Sequence, residues 1–283
     1  MMMVLITGAA SGIGLALSLI CLQKEFSVIM VDNNDEKLNV EARQLNNQFP
    51  NRVIKKTCDL TQADAVNTLA QELYQQISHI DWIFNNAGII GSLAPLWELT
   101  PEQIQQVFAV NIFGMTNVIQ AFMPFLFKQR QPSHIINMAS LYAICTSSQV
   151  ASYSMSKHAV LALSESLHFD LQRLAKPIAV SVVLPSFTDT SLLTPSSTDP
   201  VSPFQQSLNL LMAHSRPTMD VASQIIDEVE QKKFYIFPDK EVKGYAEERL
   251  NAMISQNNPH LNAIEKLMTS LIKRDEKRRK KSS

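Results

Sequence analysis

Short apolar runs alternate with longer helical patterns along most of this chain, and this alternation constrains its fold more than any other feature. The runs are rich in β-branched and other aliphatic residues, as buried strands are. The segments between them, such as residues 14–24, 64–77, 101–127 and 152–174, are long enough for crossover helices. Strands that alternate with helices form a parallel sheet that is covered on both faces. The predicted strands are residues 3–7, 27–31, 53–58, 82–85, 134–138, 180–184 and 234–237.

The sequence therefore predicts an α/β fold, a Rossmann-type, doubly wound, parallel sheet of seven strands with helices on both faces. One domain is expected over residues 1–240, and a helical C-terminal extension with a basic tail over residues 241–283. Residues 186–217 are rich in Ser, Thr and Pro and follow the sixth strand, so they are predicted to form a substrate lid.

The C-terminal extension carries one apolar stripe. We expect the stripe to pack on its own domain, with a second subunit or a membrane surface as the alternatives. The stripe consists of Leu261, Ile264, Leu267, Met268, Leu271 and Ile272.

Composition and charge argue against several classes of function. The net charge of -1 gives no overall attraction to nucleic acid or to membranes. Three widely separated cysteines argue against a disulfide framework, and no histidine has partners at metal-ligand spacing, so no metal is predicted. The N-terminus does not resemble a signal peptide, and no run approaches the ~18 apolar residues of a spanning helix. We therefore expect a cytoplasmic protein without stable membrane insertion.

A glycine-rich turn joins the first predicted strand to the first helix. Gly8, Gly12 and Gly14 lie in it, and the whole chain has only 7 glycines. Glycine lets the backbone turn sharply and lets a pyrophosphate approach the N–H groups of a helix N-terminus. Because the turn follows a strand and opens a helix, it predicts a dinucleotide site, with Ser11 and Ile13 among the contacts.

Asp32 ends the second predicted strand. An acid at this position can accept hydrogen bonds from the hydroxyls of the adenosine ribose. A 2′-phosphate about 4 Å away would be repelled by up to ~4 kcal/mol per unit charge at an effective dielectric near 20. Asn33 and Asn34 bring no compensating positive charge. The predicted cofactor is therefore NAD rather than NADP; the alternative is that Asp32 only caps a turn.

Tyr153 and Lys157 lie four positions apart on a predicted helix, so their side chains share one face. An ammonium beside a phenol stabilises the phenolate and lowers the tyrosine pKa from its ordinary value of about 10. A tyrosine tuned in this way can exchange a proton with an alcohol oxygen. Ser140 follows the fifth strand and is expected at the same crevice. The spacing alone also fits an ordinary exposed pair.

These motifs, in this order, resemble the short-chain dehydrogenase/reductase family. The resemblance implies an oxidoreductase that interconverts a secondary alcohol and a ketone or aldehyde with NAD(P). It implies that Tyr153 is the general acid/base, that Ser140 binds the substrate oxygen and that Lys157 binds the nicotinamide ribose. It also implies that Asn111 holds a water that relays protons; the alternative is an asparagine that bonds its own helix backbone. The matching motifs are residues 7–14, 59–60, 85–88, Asn111, Ser140 and residues 153–157.

The resemblance also assigns cofactor contacts outside the glycine turn. Asp59 and Leu60 would bind the adenine ring, and the N–H of Thr188 would meet the nicotinamide carboxamide. For Asn85, a hydrogen bond between strands is as good an explanation as a ligand contact. Ser186 stands where many family members have glycine, and we expect a backbone there without positive φ. The adenosine ribose would be lined by Asn86, Ala87 and Gly88.

Two other functions stay open. One is an NADPH-dependent carbonyl reductase in which Asp32 turns away from the phosphate. The other is a catalytically idle dinucleotide-binding sensor or scaffold, against which the presence of Tyr153 argues. The expected partners are a small alcohol or carbonyl substrate and further copies of the chain, in a homodimer or another homo-oligomer, with no nucleic acid. The sequence does not identify the substrate.

Overall fold

The computed structural model describes residues 1–188, 215–259 and 261–282. In this part of the chain, seven strands form one parallel sheet in the order β3-β2-β1-β4-β5-β6-β7. The strand order reverses between β1 and β4, as in a doubly wound fold. The predicted fold class is confirmed. The strands are β1 Met3–Thr7, β2 Ser27–Asp32, β3 Val53–Thr57, β4 Trp82–Asn85, β5 Ser133–Met138, β6 Ile178–Val183 and β7 Tyr235–Ile236.

Helices cover both faces of the sheet. On one face α1, α2 and α7 pack on a cluster that includes Leu17, Leu38 and Ile225. On the other face α3, α5 and α6 pack on a cluster that includes Leu69 and Phe122. Burial on both faces explains why the strands are continuous apolar runs. The described helices are α1 Gly12–Gln23, α2 Asp35–Gln48, α3 Ala63–Gln76, α4 Pro101–Phe108, α5 Met115–Leu126, α6 Ala151–Arg173, α7 Thr218–Glu230, α8 Lys240–Ile254 and α9 Ala263–Ser282.

A π-helical segment, Ala109–Gly114, joins α4 to α5. The sequence predicted one uninterrupted helix here, because hydrophobic periodicity does not register a single widened turn. The resulting continuous helix, Pro101–Leu126, has the length and mean hydropathy (1.3) of a possible membrane span, contrary to the expectation that no run approaches that length. Core helices of soluble proteins pass the same criterion, and Val118 and Phe122 of this helix are buried in the domain.

The C-terminal extension forms α8 and α9. Ile264, Met268 and Leu271 are buried in a cluster with Tyr142 and Tyr153, so most of the apolar stripe packs on its own domain as predicted. Leu261 differs, since it is 63% exposed. Of the predicted lid, residues 189–214 lie outside the described residues.

Candidate active site

The carboxyl ends of the parallel strands bring most of the predicted site residues to one edge of the sheet. Thr7, Asp32 and Asn85 end β1, β2 and β4, and Ser140 follows the end of β5. Because β1 and β4 are neighbours whose connections leave in opposite directions, a crevice opens above them at this edge. This crevice is the place where folds of this kind bind ligands.

The glycine turn packs tightly against the start of α1. Gly8 has φ +64°, and a Cβ atom on Gly14 would lie 2.2 Å from the Gly8 carbonyl oxygen. Only glycine at position 14 therefore allows the helix to approach the turn this closely. The N-cap residue, Ser11, makes no side-chain capping hydrogen bond, and the first turn carries no acidic residue. The first N–H groups of α1 and the positive end of its dipole thus suit an anion.

Thr7 fixes the 86–88 loop to the glycine turn. Its Oγ1 accepts hydrogen bonds from the N–H groups of Asn86 at 2.9 Å and Ala87 at 3.0 Å. The Nδ2 of Asn86 donates in return to the carbonyl oxygen of Thr7 at 2.9 Å. Sequence reasoning named Thr7 only as part of the glycine motif. Its position at the end of β1 could have indicated that its side chain lies at the site.

Asp32 also meets the glycine turn. Its Oδ2 accepts from the N–H of Ala10 at 3.0 Å, and its Oδ1 accepts from the N–H of Asn34 at 3.0 Å. The second bond is the turn cap that the sequence offered as an alternative. The first bond places the carboxylate beside the glycine turn, so Asp32 does more than cap a turn, and its role toward the adenosine ribose stays a prediction.

Asp59 and Leu60 follow β3 at the same edge. Asp59 is exposed, and its Oδ1 accepts from the N–H and the hydroxyl of Thr61 at 2.9 and 2.8 Å. Leu60 is buried, and its carbonyl oxygen accepts from Nδ2 of Asn117 at 2.8 Å. The Asp59 carboxylate is thereby held in a defined orientation at the rim of the crevice.

Tyr153 and Lys157 are both buried in α6, which excludes the ordinary exposed pair. The Nζ of Lys157 lies 5.6 Å from the centroid of the Tyr153 ring and donates to the carbonyl oxygen of Met138 at 2.9 Å. Met138 is the last residue of β5, so the ammonium lies at the carboxyl edge of the sheet.

Burial dominates the acid–base properties of this pair. It raises the pKa of Tyr153 to about 12, while a hydrogen bond to Ser140 acts in the lowering direction. Burial also lowers the pKa of Lys157 to about 8. The net shift of the Tyr153 pKa is therefore upward, opposite to the lowering that the sequence predicted, because desolvation of the phenolate outweighs the hydrogen bond to Ser140.

Asn111 lies in the π-helical segment and is fully buried. Its Oδ1 accepts from the N–H of Ile89 at 2.8 Å, and its Nδ2 donates to the carbonyl oxygen of Ile89 and to Oγ of Ser156, both at 2.9 Å. The Asn111 side chain therefore bonds other elements, and the alternative that it bonds the backbone of its own helix is wrong. A Cβ atom on Gly88 would lie 3.2 Å from Oδ1 of Asn111 and 3.4 Å from Nζ of Lys157.

Ser140 is buried between the end of β5 and α6. Its Oγ accepts from the N–H of Tyr142 at 3.2 Å. The ring of Tyr142 packs edge-on against Tyr153 and Phe187, with centroid distances of 6.0 and 6.2 Å. Sequence reasoning missed both aromatic residues, although each lies within two positions of a residue it had singled out.

Thr188 is buried at the end of the described segment, and its hydroxyl donates to the carbonyl oxygen of Ser186 at 3.3 Å. Ser186 is not among the described residues with positive φ, which confirms the expected backbone. Its N–H donates to Oδ2 of Asp239 at 2.7 Å. Asp239 pairs with Arg216 at 2.8 Å. Sequence reasoning did not find this pair, because nothing along the chain links positions 186, 216 and 239.

Asn85 bonds across the sheet. Its Nδ2 donates to Oδ1 of Asn137 at 2.9 Å, and Nδ2 of Asn137 donates to Oγ of Ser164 at 2.9 Å. The inter-strand hydrogen bond that the sequence offered for Asn85 is thus present.

Comparison with known proteins places this chain in a family. Residues 2–200 match the sequence model of the family described as short chain dehydrogenase. The 1-deoxy-11-beta-hydroxypentalenate dehydrogenase of Streptomyces exfoliatus is 34% identical over 84% of this chain and 83% of its own length. The chain belongs to the short-chain dehydrogenase/reductase family. It is accordingly an oxidoreductase of the kind that acts on CH–OH groups.

Solved structures of this family share the fold. A short-chain dehydrogenase/reductase from Burkholderia phymatum in complex with NAD has a TM-score of 0.85 and 24% identity, covering 92% of this chain and 96% of its own. A short-chain dehydrogenase from Shigella flexneri complexed with NADP has a TM-score of 0.70 and 22% identity, covering 83% and 95%. The family name alone does not assign a substrate to this short-chain dehydrogenase/reductase.

Proposed function

We propose that this short-chain dehydrogenase/reductase interconverts a secondary alcohol and a ketone or aldehyde, with Tyr153 as acid/base and NAD as cofactor. The observation that carries the proposal is the joint burial of Ser140, Tyr153 and Lys157 at the carboxyl edge of the sheet. A lysine and a tyrosine that served only stability would gain little from burial without an ion-pair partner.

The crevice fits a dinucleotide. Gly8 and Gly14 let the glycine turn pack closely against the start of α1. Ser11, Gly12 and Ile13 would supply backbone N–H groups there to a pyrophosphate. Asp32, fixed beside the glycine turn, would accept from the adenosine ribose and repel a 2′-phosphate. Relatives of this fold have been crystallised with NAD and with NADP, which supports a nicotinamide dinucleotide.

The remaining cofactor contacts would come from three other loops. Asp59 and Leu60 would hold the adenine, and residues 86–88 would line the adenosine ribose, supported by Thr7. The N–H of Thr188 would meet the carboxamide. When bound, the nicotinamide supplies or accepts the hydride of the reaction.

Tyr153 would hold and move the proton at its Oη. Since burial raises its pKa to about 12, the phenol is protonated at neutral pH and can donate to a carbonyl oxygen. In alcohol oxidation the same atom would accept the proton. Ser140 would donate to the substrate oxygen and hold it against Tyr153.

Lys157 and Asn111 would support this exchange. An ammonium has three N–H donors, and one of them bonds Met138, which leaves two for the nicotinamide ribose hydroxyls. The side chain of Asn111 is engaged by Ile89 and Ser156. We therefore propose that the Asn111 side chain holds the residue 89 loop and α6 in place. A proton-relaying water would instead contact the main chain of Asn111.

The described wall beside Tyr153 is aromatic. Tyr142 and Phe187 form it, and both belong to an apolar cluster. This wall suits a substrate whose carbinol carbon carries an apolar flank. The relative from Streptomyces exfoliatus is named for a hydroxypentalenate. We therefore include hydroxylated carbocycles in the test.

The test is a panel of secondary alcohols and the corresponding ketones, assayed with NAD(H) and with NADP(H). We expect turnover with NAD(H). In Tyr153→Phe we expect kcat to fall about 100-fold or more, which is the range that positioned proton transfer contributes. Tyr74→Phe is the matched control, because Tyr74 is a partly buried phenol in α3 that bonds Gln129. Turnover only with NADP(H) would refute the cofactor assignment, and equal turnover in Tyr153→Phe would refute the acid/base role.

A further inference from the structure

A carboxylate of the C-terminal extension contacts the loop between Ser140 and Tyr153. Glu265 lies in α9, beyond the residues 2–200 that match the family. Its Oε2 accepts from the N–H of Ser148 at 2.6 Å, and its Oε1 accepts from Oγ of the same serine at 2.5 Å. The hydroxyl of Thr269 donates to the same Oε1 at 3.2 Å. One loop residue therefore engages both oxygens of the carboxylate.

The contact lies next to strained backbone. Gln149, the residue after Ser148, has φ +65°. A residue with a long side chain occupies this left-handed region only where the surrounding structure holds it. Val150 follows as the N-cap of α6, and Tyr153 lies in the first turn of that helix. Holding Ser148 thus fixes the backbone that leads into the helix of the proposed acid/base.

The other side of the loop reaches Tyr153 through Tyr142. The hydroxyls of Tyr142 and Ser147 lie 3.1 Å apart, and Oγ of Ser154 donates to the carbonyl oxygen of Tyr142 at 3.2 Å. The ring of Tyr142 packs on the ring of Tyr153. A displacement at Ser148 would therefore move the residue that packs against the reacting phenol.

Helix α9 itself is anchored. Ile264 and Met268, on either side of Glu265 along the chain, are 3% and 1% exposed and belong to the same cluster as Tyr142 and Tyr153. The backbone of Glu265 is thereby fixed relative to the site. A carboxylate held in this way acts as a rigid support for the loop.

We infer that Glu265 is a positioning residue of the active site, which fixes the 140–150 loop through Ser148 and so aligns Ser140 with Tyr153. The inference rests on the proposed roles of those two residues. Glu265 acts through Ser148 rather than through a contact with the substrate. Its effect should appear in kcat rather than in dinucleotide binding.

The test replaces Glu265 with glutamine. The glutamine amide has only one acceptor oxygen, so its NH2 group would face one of the two Ser148 donors and that hydrogen bond would be lost. We expect amide hydrogen exchange of residues 144–150 to become about tenfold faster, because one hydrogen-bonded anchor is lost. We also expect kcat on the best substrate of the panel to fall about tenfold, with NADH affinity unchanged. Glu276→Gln, an exposed position further along α9, is the control and should change neither quantity.

Variants of Ser148 grade the effect. Ser148→Thr keeps both donors and should behave as the wild type, whereas Ser148→Ala loses one and should be intermediate. Combining Ser148→Ala with Glu265→Gln should add little to the glutamine variant alone. Unchanged exchange in Glu265→Gln would refute the anchor, and faster exchange with unchanged kcat would refute the positioning role. Wild-type turnover in Tyr153→Phe would instead refute the proposed function, whatever the exchange rates are.

Discussion

At the scale of single residues, a spatial neighbour holds each key side chain of the candidate site in place. Asp32 bonds the N–H of Ala10, and Lys157 bonds the carbonyl oxygen of Met138. Neither partner is close in sequence. The residue types and their order were enough to predict which side chains lie together at the carboxyl edge of the sheet, whereas their hydrogen bonds and pKa shifts required the folded chain.

The proposed preference for NAD depends on the charge of Asp32. Asp32→Asn keeps the shape and one acceptor oxygen but removes the charge that would repel a 2′-phosphate. We expect the ratio of NADPH to NADH affinity to rise about tenfold or more, which is 1.4 kcal/mol or more. Titration calorimetry with both dinucleotides measures the ratio. Asp35→Asn, a few positions on and exposed, is the control; an unchanged ratio in Asp32→Asn would show that Asp32 does not select NAD.

His134 predicts how stability varies with pH. It is buried in β5 with Nε2 2.7 Å from Oγ of Ser181, and burial, with Lys232 nearby, lowers its pKa to about 4. The unfolded chain, with a pKa near 6.5, binds a proton that the folded chain excludes. This contribution to stability is complete above pH 6.5 and is lost as pH falls toward 4.

The size of the effect is roughly 3 kcal/mol at most. Urea unfolding at pH 7 and at pH 4.5, for the wild type and for His134→Gln, measures it. We expect the wild type to lose more unfolding free energy than the variant over this interval. Equal losses would mean that His134 titrates alike in the folded and unfolded chains.

At the scale of elements, the start of α1 and the π-helical segment position the site. The sequence predicted α1 because a glycine turn between a strand and a helix is a local pattern. The π-helical segment around Asn111 was not predicted, because it depends on contacts with Ile89 and Ser156 that close only in the fold. Local sequence patterns were thus enough to predict the regular helices and strands, whereas the π-helical segment depends on contacts between elements.

Gly14→Ala tests the approach of α1 to the glycine turn. The added Cβ would lie 2.2 Å from the Gly8 carbonyl oxygen, so the turn must shift. We expect NADH affinity to fall about tenfold or more, as measured by fluorescence titration. Gly244→Ala in α8 is the matched control, since nothing lies within 4 Å of its added Cβ. Wild-type affinity in Gly14→Ala would contradict the proposed pyrophosphate site.

At the scale of the whole molecule, the alternation of strands and helices was sufficient to predict the seven-stranded parallel sheet. The weakest strand, Tyr235–Ile236, has two residues and was predicted longer, since only its pairing with β6 defines it. The salt bridge between Arg216 and Asp239 joins distant parts of the chain and left no local pattern. The domain boundary at residue 240, the cytoplasmic location and the homo-oligomer stay predictions.

The C-terminal extension should unfold together with the domain. Met268 lies on the buried face of α9 and is 1% exposed. Met268→Ala should therefore lower the unfolding free energy by about 2–5 kcal/mol in a single urea transition. Met253→Ala on α8, where the side chain is 63% exposed, should change it by about 0.5 kcal/mol or less. A separate early transition in Met268→Ala would show that α9 is not part of the same cooperative unit.

The central claim is that the buried phenol of Tyr153 transfers the proton while other groups bind the cofactor. Single-turnover reduction of the best ketone, with NADH saturating, separates these two steps. We expect Tyr153→Phe to bind NADH with near wild-type affinity and to reduce the ketone about 100-fold more slowly or worse. A wild-type single-turnover rate in Tyr153→Phe would contradict proton transfer by Tyr153.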